Sequence, residues 1–360
     1  MTQIQKAPRN SAIELLRILA MGIVVLSHIC CHSSYDSTYS ILTVNRLFVQ
    51  FGYLGNLGVA LFIMISGYFQ SSFRIRSLSR LLSQVWFYSV GLFLLCRFGF
   101  GYEYTTEMLW QVFLPTIYSE YWFFTAYVVF FLLTPFVNIM IRALSKEQFK
   151  TLLAVVILLW SVIPTVTKQQ LYAAELPQFL MYYLLGAYLR MYPENRLQKK
   201  SVRWIITVGS FAVLFGLTVI LGYLERYTPE VFGVSRRFYD RNSLLILTAA
   251  LGMFSLAAYS RPFTSPLVNT LGGCTFGVYL IHDNPVIREL LWKRWLNWQL
   301  YFTSGSFILR LLLSVVLVYA VCTVIEYLRQ KTVAKPMDNL WNTILTALLK
   351  KAHLSDAALT

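Results

Sequence analysis

Hydrophobic positions in this chain fall in long, nearly continuous runs rather than in the half-and-half alternation of a soluble helix or strand. Each run is close to the ~20 apolar residues that a helix needs to cross a bilayer. Ten spanning helices are expected, at 12–32, 52–70, 80–98, 121–141, 151–167, 175–191, 203–223, 243–260, 267–283 and 305–328. The ninth run, LVNTLGGCTFGVYLIHD, is short and glycine-rich; small residues there suit close packing against neighbouring helices. No internal repeat is visible, which disfavours the inverted-repeat transporters. The predicted fold is all-α: one polytopic membrane domain over 1–334 and a tail over 335–360. Within the tail, 338–352 puts Leu340, Trp341, Ile344, Leu345, Leu348 and Leu349 on one helical face, and Asp338, Asn342, Thr346 and Lys350 on the other. That pattern predicts a helix lying on the cytoplasmic leaflet, with Lys350 and Lys351 near anionic headgroups.

Lys and Arg fix the expected orientation. With the N-terminus inside, the inner segments carry roughly twice the Lys and Arg of the outer ones, so both termini are expected in the cytoplasm. One outer loop, 224–242, departs from the rule with Arg226, Arg236, Arg237 and Arg241, partly offset by Glu225, Glu230 and Asp240.

Composition narrows the class. Hydrophobic residues make up 57% and mean hydropathy is +0.57, which excludes an ordinary soluble domain. The net charge of +15 would suggest nucleic acid in a soluble protein; here it is assigned to the orienting loops, and the bilayer rather than nucleic acid is the expected partner. The five cysteines (Cys30, Cys31, Cys96, Cys274 and Cys322) lie in or at the ends of apolar runs, with no disulfide framework and no metal-ligand spacing. The first run is too long for a cleavable signal peptide and is interrupted by Glu14 and Arg17.

That first run, SAIELLRILAMGIVVLSHICCH, carries the candidate chemistry. Arg17 and His28 are 11 positions apart, three helical turns plus roughly 20°, so they share a face about 16 Å apart along the axis. Glu14, three residues before Arg17, is placed to pair with it. Ionisable groups inside a span mark functional sites unless they snorkel or cap a helix. In the expected topology His28 and His282 lie at the outer end, and Tyr121, Trp122 and Phe123 open the fourth span from outside. Arg74, Arg76 and Arg80 follow the second span on the inner side. Read blandly, these are aromatic-belt, capping and positive-inside residues.

The Arg17-to-His28 spacing, the FIMISGYF run at 62–69, the YWF triplet at 121–123 and the FGVYLIH run at 276–282 together resemble the membrane-bound acyltransferase family 3, of the polysaccharide O-acetyltransferase type. The likeness covers roughly residues 9 to 328. It implies ten membrane helices and transfer of an acyl group, usually acetyl from acetyl-CoA, to a surface or lipid-linked glycan. It implies that His28 is the catalytic histidine, Arg17 a donor-side residue, and the basic run after the second span a donor-holding one. Many relatives carry an extra extracytoplasmic hydrolase-like domain; neither that domain nor a covalent Ser relay of that kind is expected here.

Chemistry makes this reading coherent. The phosphates of acyl-CoA need cations, which Arg17, Arg74, Arg76 and Arg80 can supply. The uncharged pantetheine arm can thread a helix bundle, and His28 suits removal of a proton from an attacking hydroxyl. Glu14 balances Arg17. Tyr121, Trp122, His282 and the cluster Arg236, Arg237, Arg241 are expected on the acceptor side. Acyl-CoA is the expected donor substrate, a surface polysaccharide or lipid-linked oligosaccharide the acceptor, and the cytoplasmic (inner) membrane the location; no metal is expected. A transporter or flippase of a glycan precursor is the alternative, and a non-catalytic assembly subunit a third.

Overall fold

Residues 10–33, 43–167, 175–225, 227–228 and 234–351 are described by a computed structural model. Lys168, Arg226, Glu230 and the residues after Lys351 lie outside the described residues.

The described chain is helical throughout, with no strand. Helix α1 (Ser11–His32) is capped by the Asn10 side chain, which accepts from the Ala12 N–H. The second apolar run is two helices, α2 (Val44–Phe51) and α3 (Gly55–Tyr68), broken around Gly52. Helix α4 (Ile75–Leu94) starts five residues before the expected position, so Arg76 is on the helix rather than ahead of it, and Arg80 lies more than a turn inside it. They are exposed and face polar pockets, which is why a helix end carrying two arginines is tolerated. A short α5 (Thr106–Phe113) leads to α6 (Trp122–Ala143), and α7 (Lys146–Ile157) runs through a wide turn into α8 (Ile163–Thr167). Then come α9 (Glu175–Met191), α10 (Lys200–Leu224), α11 (Leu244–Ala258) and α12 (Pro266–His282). A short α13 (Pro285–Glu289), α14 (Phe307–Thr332) and α15 (Ala334–Lys351) complete the chain.

Eight helical runs among the described residues are long and apolar enough to cross a membrane. The protein is therefore a polytopic membrane protein. The other two expected spans are α9 and α12, each 17 residues long; most of α9 and the second half of α12 are buried among neighbouring helices. Both depend on glycine for that enclosure. Gly67 of α3 and Gly186 of α9 lie backbone to backbone: a Cβ on Gly67 would strike the Tyr183 carbonyl, and one on Gly186 the Met64 carbonyl. In α12 the glycines admit carboxylates instead. Gly272 is where Glu14 of α1 lies against the helix, and Gly277 is where Glu326 of α14 does. Hydrocarbon supplies no hydrophobic drive between helices, so contact at this range is what holds such segments together.

The N-terminus of α1 is tied to α12: Ser11 Oγ donates to Asn269 Oδ1 at 2.8 Å and accepts from the Ser265 N–H at 2.8 Å. This fixes the register of the two helices that carry the candidate site.

Helix α15 lies along α4. Trp341 meets Trp86 with ring centroids 6.4 Å apart, and Leu345 and Leu349 pack on the Phe73–Ile75–Phe131 cluster. Leu340, Ile344 and Leu348 point outward. The apolar face predicted for lipid alone is thus divided between the protein and the surroundings.

Candidate active site

Arg17, Met21, Val24 and His28 occupy successive turns of one face of α1, and all four line a single cavity of about 340 Å³. Its walls are mostly apolar and aromatic: Phe62 and Ile65 of α3, Phe123 and Tyr127 of α6, Phe276 and Tyr279 of α12. Each of the three short motifs contributes. In ISGYF, Ile65 and Ser66 line the cavity while Gly67 makes the α3–α9 contact. In YWF, Trp122 and Phe123 line it, but Tyr121 does not: it is buried, and its hydroxyl donates to the Leu280 carbonyl at 3.1 Å. Tyr121 thus braces the end of α12. In FGVYLIH, Phe276 and Tyr279 line the cavity and His282 lies behind it.

His282 sets the state of His28. Its Nδ1 is 2.6 Å from the Val278 carbonyl, one turn back in α12, to which only an N–H can bond. In the neutral ring Nε2 is then an acceptor, and His28 Nδ1, 3.0 Å away, must donate to it. This leaves His28 Nε2 with a lone pair, the form a general base requires. The Asp283 carboxylate has Oδ1 3.3 Å from the same His28 nitrogen, and Arg288 Nη1 holds that oxygen at 3.3 Å. Trp292, fully buried, abuts the His282 ring. His28 is therefore backed by a neutral imidazole and a carboxylate. His28, His32 and Asp283 bring three possible metal-ligand atoms within 4.8 Å of one another. The Arg288 guanidinium on Asp283 places a positive charge against that trio and disfavours a second cation.

Beside this group, Asn284 caps α13 through the Val286 and Ile287 N–H groups and donates to Glu120 Oε1 at 3.0 Å. Ser89 donates to the other Glu120 oxygen. Burial pushes the Glu120 carboxyl up to about 7, against the hydrogen bonds from Ser89 and Asn284 that pull it down.

At the Arg17 end the cavity meets a basic vestibule of about 560 Å³, with which it shares Arg17, Leu81 and Tyr127. Arg74, Arg80 and the loop Gln70–Ser72 line it. That loop is pinned from below. Gln70 has φ +46°, Asn138 donates to the Gln70 carbonyl at 3.3 Å, and Tyr183 donates to the Ser71 carbonyl at 3.0 Å. Arg17 Nη1 is 3.1 and 3.3 Å from the two Glu14 oxygens, which leaves the rest of the guanidinium for the cavity. Arg76 is separated from Arg74: it lines a neighbouring pocket together with Arg80.

The arginines expected on the acceptor side are at the His28 end, but not as a free cluster. Arg241 lies over the Trp122 ring, 4.4 Å from its centroid, with Nη2 3.5 Å from Glu175. Arg236 lies 5.6 Å from the Tyr53 ring centroid and is exposed, and Arg237 rests on Phe238. Asp283, Arg288, Glu120 and Asn284 are not among the candidate residues that the sequence pattern singles out. Asp283 and Asn284 immediately follow His282, and a charged residue ending an apolar run was the available signal.

A polytopic helical protein with a hydrogen-bonded histidine at one end of an internal cavity and arginines at the other has the parts of a membrane-embedded group-transfer enzyme. The family model of the acyltransferase 3 family, described as an acyltransferase domain, matches residues 10–327, and the chain belongs to this family. Its assigned activity is acyl transfer. Comparison with curated proteins and with solved structures gave no match.

Proposed function

We propose that the protein moves an acyl group, acetyl by default, from cytosolic acyl-CoA to a hydroxyl of a surface or lipid-linked glycan at the cytoplasmic membrane. The observation that carries this reading is the single narrow cavity joining Arg17 to His28, basic at one end and carrying a base at the other.

In this reading the Arg17 end faces the cytosol. Arg17, Arg74 and Arg80 bind the donor's diphosphate in the vestibule, and the apolar walls accept the uncharged pantetheine arm. The thioester then comes beside His28. The acceptor enters from the other end past Trp122, where Arg241 and Arg236 attract an anionic glycan or sugar pyrophosphate. His28 Nε2 takes the hydroxyl proton as the oxygen attacks the thioester carbonyl. The new C–O bond forms, the C–S bond breaks, and the proton passes to the departing sulfur to give free CoA. Asp283 steadies the imidazolium that exists between those steps, and His282 holds the ring in place. Water is kept out by Phe123, Phe276 and Tyr279. Membership of an acyltransferase family sets the transporter reading aside.

The test is a mass comparison of the cell's surface glycan with and without this protein. Loss of one fixed acyl mass increment from the glycan when the protein is absent supports the reading. An unchanged glycan together with no CoA release from acetyl-CoA by the purified protein would overturn it.

A further inference from the structure

The pocket that Arg76 lines together with Arg80 is not used by the steps above. It has a volume of about 640 Å³, within the ~300–1,000 Å³ range of ligand sites. It lies between α4, α12, α14 and α15. Four cations line it (Arg76, Arg80, Arg329 and Lys335), against two carboxylates, Glu326 and Asp338. Glu326 is already engaged. Arg329 Nε and Nη2 grip it at 2.8 Å each, Tyr88 donates to it at 2.6 Å, and Gln330 donates at 2.7 Å. That grip aims the guanidinium and leaves Arg329 Nη1 buried with no hydrogen-bond partner, on a residue only 7% exposed. A buried guanidinium N–H without an acceptor is costly unless a ligand completes it. The lining therefore suits an anion with oxygen acceptors.

Its connections say which anion. Arg80 lines both this pocket and the vestibule, and Gly273 lines both this pocket and the His28 cavity. The pocket is thus a side branch of the donor route, meeting it at Arg80. Two basic pockets joined at one arginine fit a ligand with two separate phosphate centres. Acyl-CoA is such a ligand, with a diphosphate and a ribose 3′-phosphate on either side of one sugar.

We infer that this pocket binds the 3′-phosphoadenosine end of the donor, with Arg329, Arg76 and Lys335 on the 3′-phosphate and the Asn339 and Asn342 amides beside the base. The inference rests on the acyl-CoA reading proposed above and extends it to α15, which lies beyond the family match and supplies Lys335, Asn339 and Asn342. Helix α15 is then part of the donor site as well as a surface helix.

The test compares acetyl-CoA with acetyl-3′-dephospho-CoA as donors for the purified full-length protein in lipid nanodiscs. A hydrogen bond to a charged group is a factor of about 10 to 100 in affinity. Wild type should show a KM at least about tenfold higher for the dephospho donor. Lys335→Ala should raise the KM for acetyl-CoA and leave that for the dephospho donor unchanged, so that the preference shrinks. Arg329→Gln should do the same more strongly; because it unpairs Glu326 and can cost folding, exposed Lys335 is the deciding variant. Adenosine 3′,5′-bisphosphate should compete with acetyl-CoA in wild type equally in neutral and in phosphatidylglycerol discs. Equal KM values for the two donors would overturn the inference while leaving acyl-CoA as donor. Anionic lipid changing the rate while the bisphosphate fails to compete would overturn it in favour of a lipid headgroup. Turnover of neither donor would overturn both readings.

Discussion

Replacing Asp283 by Asn removes a charge while keeping size and shape. The Asp283 carboxylate is 3.3 Å from His28 Nδ1 and is buried. When His28 takes the acceptor proton its ring becomes positive, and at an effective dielectric of 20 a carboxylate at that distance is worth about 5 kcal/mol as an upper bound. Arg288 holds the same oxygen at 3.3 Å and offsets part of this. A hydrogen bond to a charged group, ~1.5–3 kcal/mol, is the better guide to the net effect. Taking ~2–3 kcal/mol, kcat should fall about 30- to 150-fold, with the donor KM little changed because the loss arises only in the transition state. CoA release, followed with a thiol reagent against acetyl-CoA and acceptor, measures both parameters. Arg288→Gln is the control, since it leaves the carboxylate beside His28. It should cost less than Asp283→Asn. Equal losses in the two variants would mean that Asp283 serves only to anchor Arg288, and a loss confined to KM would place it in donor binding. Either result refutes the reasoning.

Three other predictions follow from separate parts of the molecule. Arg17→Lys should raise the donor KM at least about tenfold and restore little over Arg17→Ala, because one ammonium cannot hold both Glu14 oxygens and a phosphate; wild-type KM in steady-state kinetics would show that charge alone suffices. Gly272→Ala should lower thermal stability by ~1–3 kcal/mol, since the new methyl meets Glu14, whose Cβ is 2.9 Å from the added position; Gly22→Ala, with open space at its Cβ, should not, and the pair is read by melting in detergent. Glu120 is raised to about 7 from an ordinary 4.5, so the unfolded chain loses that proton first as pH rises. Its contribution is fully present below about 4.5 and is lost through about 7, and Glu120→Gln should flatten this decline in a melting series across that window.

What the sequence disclosed depends on how far each feature reaches. The Arg17–His28 arrangement is local to one helix, so periodicity alone puts both side chains on one face. The helical membrane fold was legible because bilayer thickness sets run length. The partners of His28 were not, because they come from α12, 254 residues away, and from the turn after it. Position in the chain puts His282 only on the acceptor side; that it lies behind His28, outside the cavity, follows from the packing of α1 on α12. Tyr121 and Trp122 share the acceptor-side expectation, since a triplet at a helix start does not say which ring turns inward. The pairing of Glu326 with Arg329 is a three-residue spacing within one helix, and an ionisable pair at the end of the last span is a sequence signal in itself. The amphipathic pattern of α15 is legible, but an apolar face fits lipid and a protein groove equally well, and the Trp86 and Phe73 contacts distinguish them.

The central claim is that His28 Nε2 is the base in acyl transfer from CoA. Its most direct test is CoA release by purified wild-type and His28→Ala proteins in nanodiscs, each given acetyl-CoA and acceptor glycan, with matched melting curves to show both are folded. The account predicts acceptor-dependent release by wild type and a loss of about 10²–10⁴-fold in His28→Ala with donor binding retained. Release by a folded His28→Ala protein at the wild-type rate would contradict it.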